Sequence, residues 1–83
     1  MKILYFAWLR ARIGIGEEDL LPPPEIGTVG KLLSWLRTRS PAHAAALADA
    51  RIIRAAVNQE LASFDQPVNA GDEVAFFPPV TGG

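Results

Sequence analysis

The 83-residue sequence contains no cysteine, one histidine and one methionine. Without cysteine there can be no disulfide, zinc–thiolate site or thiol nucleophile. Any sulfur chemistry has to use a group other than a side-chain thiol, and the composition fits a reducing compartment. A block of basic residues is also missing. Arg10 and Arg12 have no basic neighbours to extend them, and the net charge is −1, so the electrostatic footprint expected of a nucleic-acid binder is absent. No apolar run approaches the roughly 18 residues of a membrane span. Lys2 followed by Ile3 to Leu9 faintly resembles a signal-peptide start, but Arg10 and Arg12 stand where a small-residue cleavage site belongs. The expectation is a buried strand in a soluble cytoplasmic protein.

What remains is enough for one small domain. The apolar fraction is 49%, which supports a modest core, and a chain of this length buries about 60–65% of its unfolded surface. Little is left over for a deep catalytic pocket. Such a chain suits a subunit, carrier or binding module better than a complete enzyme.

Residues 2–9 form a β-branched and aromatic run and read as a strand. Gly14-Ile15-Gly16 signals a turn, and Glu17 to Leu21 reads as a return strand of a hairpin, ended by Pro22-Pro23-Pro24. Thr28 suits a helix N-cap. Val29, Leu32, Leu33 and Leu36 then form one apolar stripe at i, i+3, i+4 and i+7, predicting a helix to about Arg39. Ser40-Pro41 opens a second short helix to about Leu47. Strand signals return over Ile52–Val57, Leu61–Phe64 and Glu73–Phe77, separated by turns at Asn58-Gln59 and at Asn69 to Asp72. This order predicts an α+β domain over residues 1–79, with one main helix and a short second one packed on a mixed sheet. With the first and last strands paired at the centre it is a β-grasp fold. Residues 80–83 are expected to form a flexible C-terminal tail.

Strand side chains alternate between faces. Ile3, Tyr5, Ala7 and Leu9, with Val74, Phe76, Ile53, Ala55 and Val57, form the set expected to face the helix. Lys2, Glu73 and Arg54 mark the opposite face as wet, and Phe6, Trp8, Phe77 and Leu61 are assigned to that side. A wet face rich in large apolar groups predicts a partner-docking surface.

The sequence ends on Gly82-Gly83. Two residues without Cβ atoms have the slimmest cross-section a peptide allows, so they suit a narrow channel with a carboxylate at its end. The five residues after Pro78 reach on the order of 17 Å when extended, and Pro78-Pro79 stiffens the root. Adenylation by ATP in a partner would give the carboxylate a leaving group. At glycine usage near 7%, a Gly-Gly pair at a fixed place arises by chance about 0.5% of the time, so the dipeptide is a moderate signal that its terminal position strengthens.

Ala56-Val57-Asn58-Gln59, Leu61, Ser63-Phe64-Asp65 and the run from Gly71 through Glu73, Phe76-Phe77-Pro78-Pro79 and Val80-Thr81 to Gly82-Gly83 resemble the small-subunit family of molybdopterin synthases. Lys2 to Ala7 followed by Arg10 is similar to the same family. The resemblance implies a ubiquitin-like β-grasp fold and a role as the sulfur-donating subunit of a sulfurtransferase complex. It implies that Gly83 is adenylated by a ubiquitin-activating-type adenylyltransferase using ATP and becomes a thiocarboxylate, with Gly82 the thin residue behind it. Sulfur would then pass to a pterin precursor of the molybdenum cofactor inside the large subunit, in a heterotetramer of two small and two large subunits. Phe6, Leu61 and Phe77, with Pro78, Pro79, Val80 and Thr81, would contact partners. No bound cofactor is expected. The family often has an acidic residue after the Arg10 position, where this chain has Ala11, which removes a salt link there.

Other readings compete less well. His43 is expected to be a surface residue, and Glu17-Glu18-Asp19 a solvated edge without the spacing of a calcium loop. Gly14-Ile15-Gly16 lacks a dinucleotide fingerprint. A sulfur carrier for thiamin or tRNA thiolation, or a ubiquitin-like modifier, stays open as an alternative.

Overall fold

The computed structural model describes residues 1–79. Five strands form one mixed sheet in the order β2-β1-β5-β3-β4. They are β1 (Lys2–Tyr5), β2 (Glu17–Asp19), β3 (Arg54–Val57), β4 (Glu60–Ala62) and β5 (Glu73–Phe77). β1 and β5 pair in parallel at the centre, from Lys2 beside Glu73 to Tyr5 beside Phe76. The other pairings, β1 with β2, β3 with β4 and β3 with β5, are antiparallel. This is the β-grasp arrangement that the element order predicts.

One face of the sheet carries the core. Ile3, Tyr5, Val74, Phe76, Ala55 and Val57 are buried together with Val29, Leu32, Leu33 and Leu36 of α2 (Val29–Leu36). The apolar stripe therefore faces the sheet as its spacing requires. Thr28 caps this helix, its Oγ1 accepting from the Lys31 backbone N–H at 3.2 Å. The helix is shorter than the expected limit of Arg39: it ends at Leu36, and Thr38 and Arg39 donate to the carbonyls of Trp35 and Leu36 in tightened turns. α3 (Pro41–Ala46) follows, with Ser40 as N-cap and Pro41 in the first turn.

The main correction concerns residues 7–13. The predicted strand stops at Tyr5, and α1 (Ala7–Ile13) follows. Ala, Leu and Arg in this stretch favour helix, and Gly14 ends it in the left-handed conformation (φ 93°), its N–H donating to the Arg10 carbonyl at 2.9 Å. The reversal falls on Ala7, whose φ of 55° is a conformation that costs a non-glycine residue about 1–2 kcal/mol. Leu9 is buried as expected, but from a helix, and Ala7 is exposed rather than turned to the core. The return strand, Glu17–Asp19, is thus joined to β1 through a helix instead of a tight hairpin turn. β3 also begins later than expected, after a 3₁₀ turn at Ala50–Ile52, and β4 covers Glu60–Ala62 rather than Leu61–Phe64. No helix among the described residues is long and apolar enough to cross a membrane.

Candidate docking face and tail root

The helix-free face of the sheet follows from register. One row across it runs Glu17, Leu4, Ala75, Ala56, Leu61, each beside the next on a neighbouring strand. A second row, at the C-terminal end of β5, pairs Phe77 with Arg54. Phe6 joins this end, because its N–H donates to the Phe76 carbonyl at 3.1 Å and carries the β1–β5 pairing one residue past Tyr5. At the opposite end lie Asp19, Lys2 and Glu73 in one row, with Lys2 Nζ 3.7 Å from Glu17 Oε2. The face is therefore split into a charged end and an apolar end.

On this face Phe6 is 48% and Leu61 77% exposed. Phe77, Pro78 and Pro79 are half-buried. Burial of one such side chain is worth about 1.5–3 kcal/mol, so leaving two of them in water is a cost that docking would recover. Trp8, assigned by alternation to the same face, lies elsewhere: it belongs to α1, packs partly buried on the core, and has the Arg12 guanidinium 4.8 Å over its ring. Strand alternation does not extend beyond Phe6, where the chain turns into helix. Of the predicted site residues, Phe6, Phe77, Pro78 and Pro79 thus lie at one end of the helix-free face, and Leu61 lies on the same face one row in, on edge strand β4. Val80, Thr81, Gly82 and Gly83 lie outside the described residues.

Two further groups position this surface; the turn at Asn58-Gln59 was expected, but the side-chain hydrogen bonds of both groups were not. Asn58 and Gln59 form the β3–β4 turn with φ of 51° and 69°, as a two-residue hairpin turn requires. The Asn58 side chain donates to Asp72 Oδ1 and accepts the Glu73 N–H, both at 3.0 Å. Asp72 also accepts the Asn69 N–H at 2.8 Å, and the Asn58 amide, then that N–H, hold its carboxyl below the usual carboxylate range. This clasp fixes where β5 begins, and so which residues of β5 reach the tail root.

The second group corrects two expectations. His43 is buried, not on the surface, and Glu18 is not a free solvated acid. Glu18 Oε2 accepts the Tyr5 hydroxyl at 2.7 Å and lies 2.7 Å from His43 Nε2, while Ser40 Oγ lies 2.7 Å from His43 Nδ1. Burial, then the Glu18 hydrogen bond, pushes the Tyr5 hydroxyl pKa up. The network ties α3 to β1 and β2. Tyr5 and Glu18 are diagonal cross-strand neighbours on one face, since Glu18 pairs with Ile3, two residues before Tyr5. The sequence signal was available in retrospect: a buried-face tyrosine needs a partner for its hydroxyl.

Comparison with known proteins bears on this arrangement. A model of the ThiS family matches residues 3–83. The chain is 45% identical over 83 residues, all of its length and 99% of the relative's, to the molybdopterin synthase sulfur carrier subunit of Escherichia coli (strain K12). It also resembles the crystal structure of SAMP1, a small archaeal modifier protein, from Haloferax volcanii, with a TM-score of 0.75 at 30% identity, covering 100% of this chain and 98% of that one. A complex of subunits 1 and 2 of molybdopterin-converting factor from Helicobacter pylori 26695 contains a chain of the same fold, with a TM-score of 0.61 at 19% identity, covering 99% and 96%.

Proposed function

This chain belongs to the ThiS family, and from that premise we propose that it is the sulfur-carrier subunit of a molybdopterin synthase. The full-length 45% identity to a subunit of that name carries the reading. The exposed apolar end of the sheet supports it, because it surrounds the root of a chain ending in Gly82-Gly83. The partner is a large subunit, and the working assembly holds two copies of each.

The chemistry uses main chain rather than a side chain. A ubiquitin-activating-type adenylyltransferase joins the Gly83 carboxylate to AMP from ATP and releases pyrophosphate. Hydrosulfide then attacks the acyl carbon, expelling AMP, and leaves a thiocarboxylate. Docked on the large subunit through Phe6, Leu61 and Phe77, the domain holds the tail so that its slim end enters the active site, with Pro78 to Thr81 lining the way. There the thiocarboxylate sulfur is passed to a pterin precursor, and hydrolysis returns Gly83 to a carboxylate. The domain contributes position, converting an encounter in solution into a held approach. It works in the cytoplasm and binds no cofactor of its own.

The likeness to SAMP1 favours a second reading, in which Gly83 is joined to lysines of other proteins. Intact mass after incubation with ATP, an activating enzyme and a sulfur donor separates the two. Exchange of one oxygen for sulfur fits the carrier, and attachment to lysines the modifier. Deleting Gly83 is expected to leave a folded protein that supports no dithiolene formation. Full activity without Gly83 would overturn the mechanism.

A further inference from the structure

The open face of the sheet carries two cations, Lys2 and Arg54, and the structure treats them differently. Lys2 has Glu17 within 3.7 Å. Arg54, exposed beside Phe77 at the apolar end, is in no ion pair among the described residues. Its Nη1 reaches the carbonyls of Arg51 and Ile53 at 3.4 and 3.2 Å, and no hydrogen bond within the described residues engages Nε or Nη2. Two weak contacts on one nitrogen hold the guanidinium near the chain and leave its other donors free of the described residues. Those two nitrogens form the edge that matches the two oxygens of a carboxylate. The face's acids, Glu17, Asp19 and Glu73, are all in rows other than that of Arg54.

We infer that Arg54 is the charged determinant of large-subunit docking, meeting a carboxylate at the rim of the apolar hollow that receives Phe6, Leu61 and Phe77. The inference rests on the proposed function. The occupant is the large subunit because the same patch surrounds the root of the tail that has to enter it. A cation at the edge of an apolar patch adds little affinity alone, but it steers the approach and selects the orientation. Orientation matters here because Arg54 pairs with Phe77, one residue before the arm begins. A partner surface with a basic rim would be rejected at that point, which gives the face selectivity that its apolar groups lack.

The test measures association of the full-length chain with the purified large subunit across a range of salt concentrations. Arg54→Glu is compared with Lys31→Glu, a control that changes net charge equally but lies on α2, on the other side of the sheet. Wild-type affinity is expected to fall with salt. Arg54→Glu should bind about tenfold more weakly at low salt, chiefly through slower association, with a flatter salt dependence. Arg54→Gln should fall between, and Lys31→Glu should stay within about twofold of wild type. Equal losses in the two glutamate variants, or wild-type binding by Arg54→Glu, would overturn the inference while leaving the carrier reading intact. Failure of the wild-type chain to bind the large subunit would overturn both.

Discussion

Replacing Glu18 with alanine removes one carboxylate and strands two buried partners at once. The Tyr5 hydroxyl and His43 Nε2 each lie 2.7 Å from Glu18 Oε2, in residues only 1% and 7% exposed. A buried donor left unsatisfied costs about 1–3 kcal/mol. Ser40 continues to serve His43 Nδ1, so the expected total loss is about 2–4 kcal/mol. For a domain of this size each kcal/mol moves Tm by roughly 4–8 °C, giving a fall of roughly 8–32 °C. Urea unfolding followed by tryptophan fluorescence and far-ultraviolet circular dichroism measures it, with Trp8 and Trp35 packed on the core as reporters. Tyr5→Phe removes one donor without stranding the acid, because Glu18 keeps His43, and should cost about 1 kcal/mol. The double variant should lose less than the sum of the two, since once the phenol is gone only one donor is stranded. Alkali gives an independent reading. The Tyr5 pKa is raised on folding, first by burial, so its contribution is complete below the ordinary tyrosine pKa of about 10 and is lost as pH rises above it. Tyr5→Phe should flatten that alkaline decline. A Glu18→Ala protein within about 0.5 kcal/mol of wild type would refute the reasoning, because the network would then be incidental.

Two other outcomes concern Leu61 and the Asp72 clasp. Leu61→Asp alters a side chain 77% exposed, so Tm should change by no more than a few degrees while binding to the large subunit weakens by at least tenfold; calorimetry on both the free and mixed proteins checks the pair. Asp72 is held below the usual carboxylate range by Asn58 and Asn69, so its contribution is present above the unfolded carboxylate pKa of about 4 and lost as pH falls through the lower folded value. Asp72→Ala should therefore be less stable than wild type at neutral pH and converge on it in acid, as followed by thermal unfolding from pH 7 to 3.

Much of this architecture was legible from local chemistry. The β5 limits, Glu73 and Phe77, were readable because a turn precedes the strand and Pro78 ends its ladder. Thr28 and Ser40 announced their helices through capping, and the alternation of Ile3 and Tyr5 with Leu4 assigned the inner face correctly. The failure at Ala7 has a physical origin. Aromatic and aliphatic residues from Phe6 to Leu9 satisfy a strand pattern as well as a short helix, and a reversal through a left-handed alanine leaves no compositional mark. The Tyr5–Glu18–His43 network was hidden for another reason. Its members are separated by 13 and 25 positions, and a histidine in an alanine-rich helix shows nothing of the carboxylate opposite it. Of the proposed docking residues, Phe6, Leu61 and Phe77 came from alternation and resemblance together. Trp8 was lost with the strand that carried it.

The central parallel pair has a consequence for how the protein comes into being. Lys2 rests beside Glu73, so nearly the entire polypeptide must leave the ribosome before the middle of the sheet can close. Until then β1 and β3 lack the neighbour that lies between both of them, and contacts so remote along the chain form slowly. The segment that completes the fold is also the one that leads to the proposed carrier end. A chain cut short or stalled in synthesis therefore loses its architecture and its terminus in the same event.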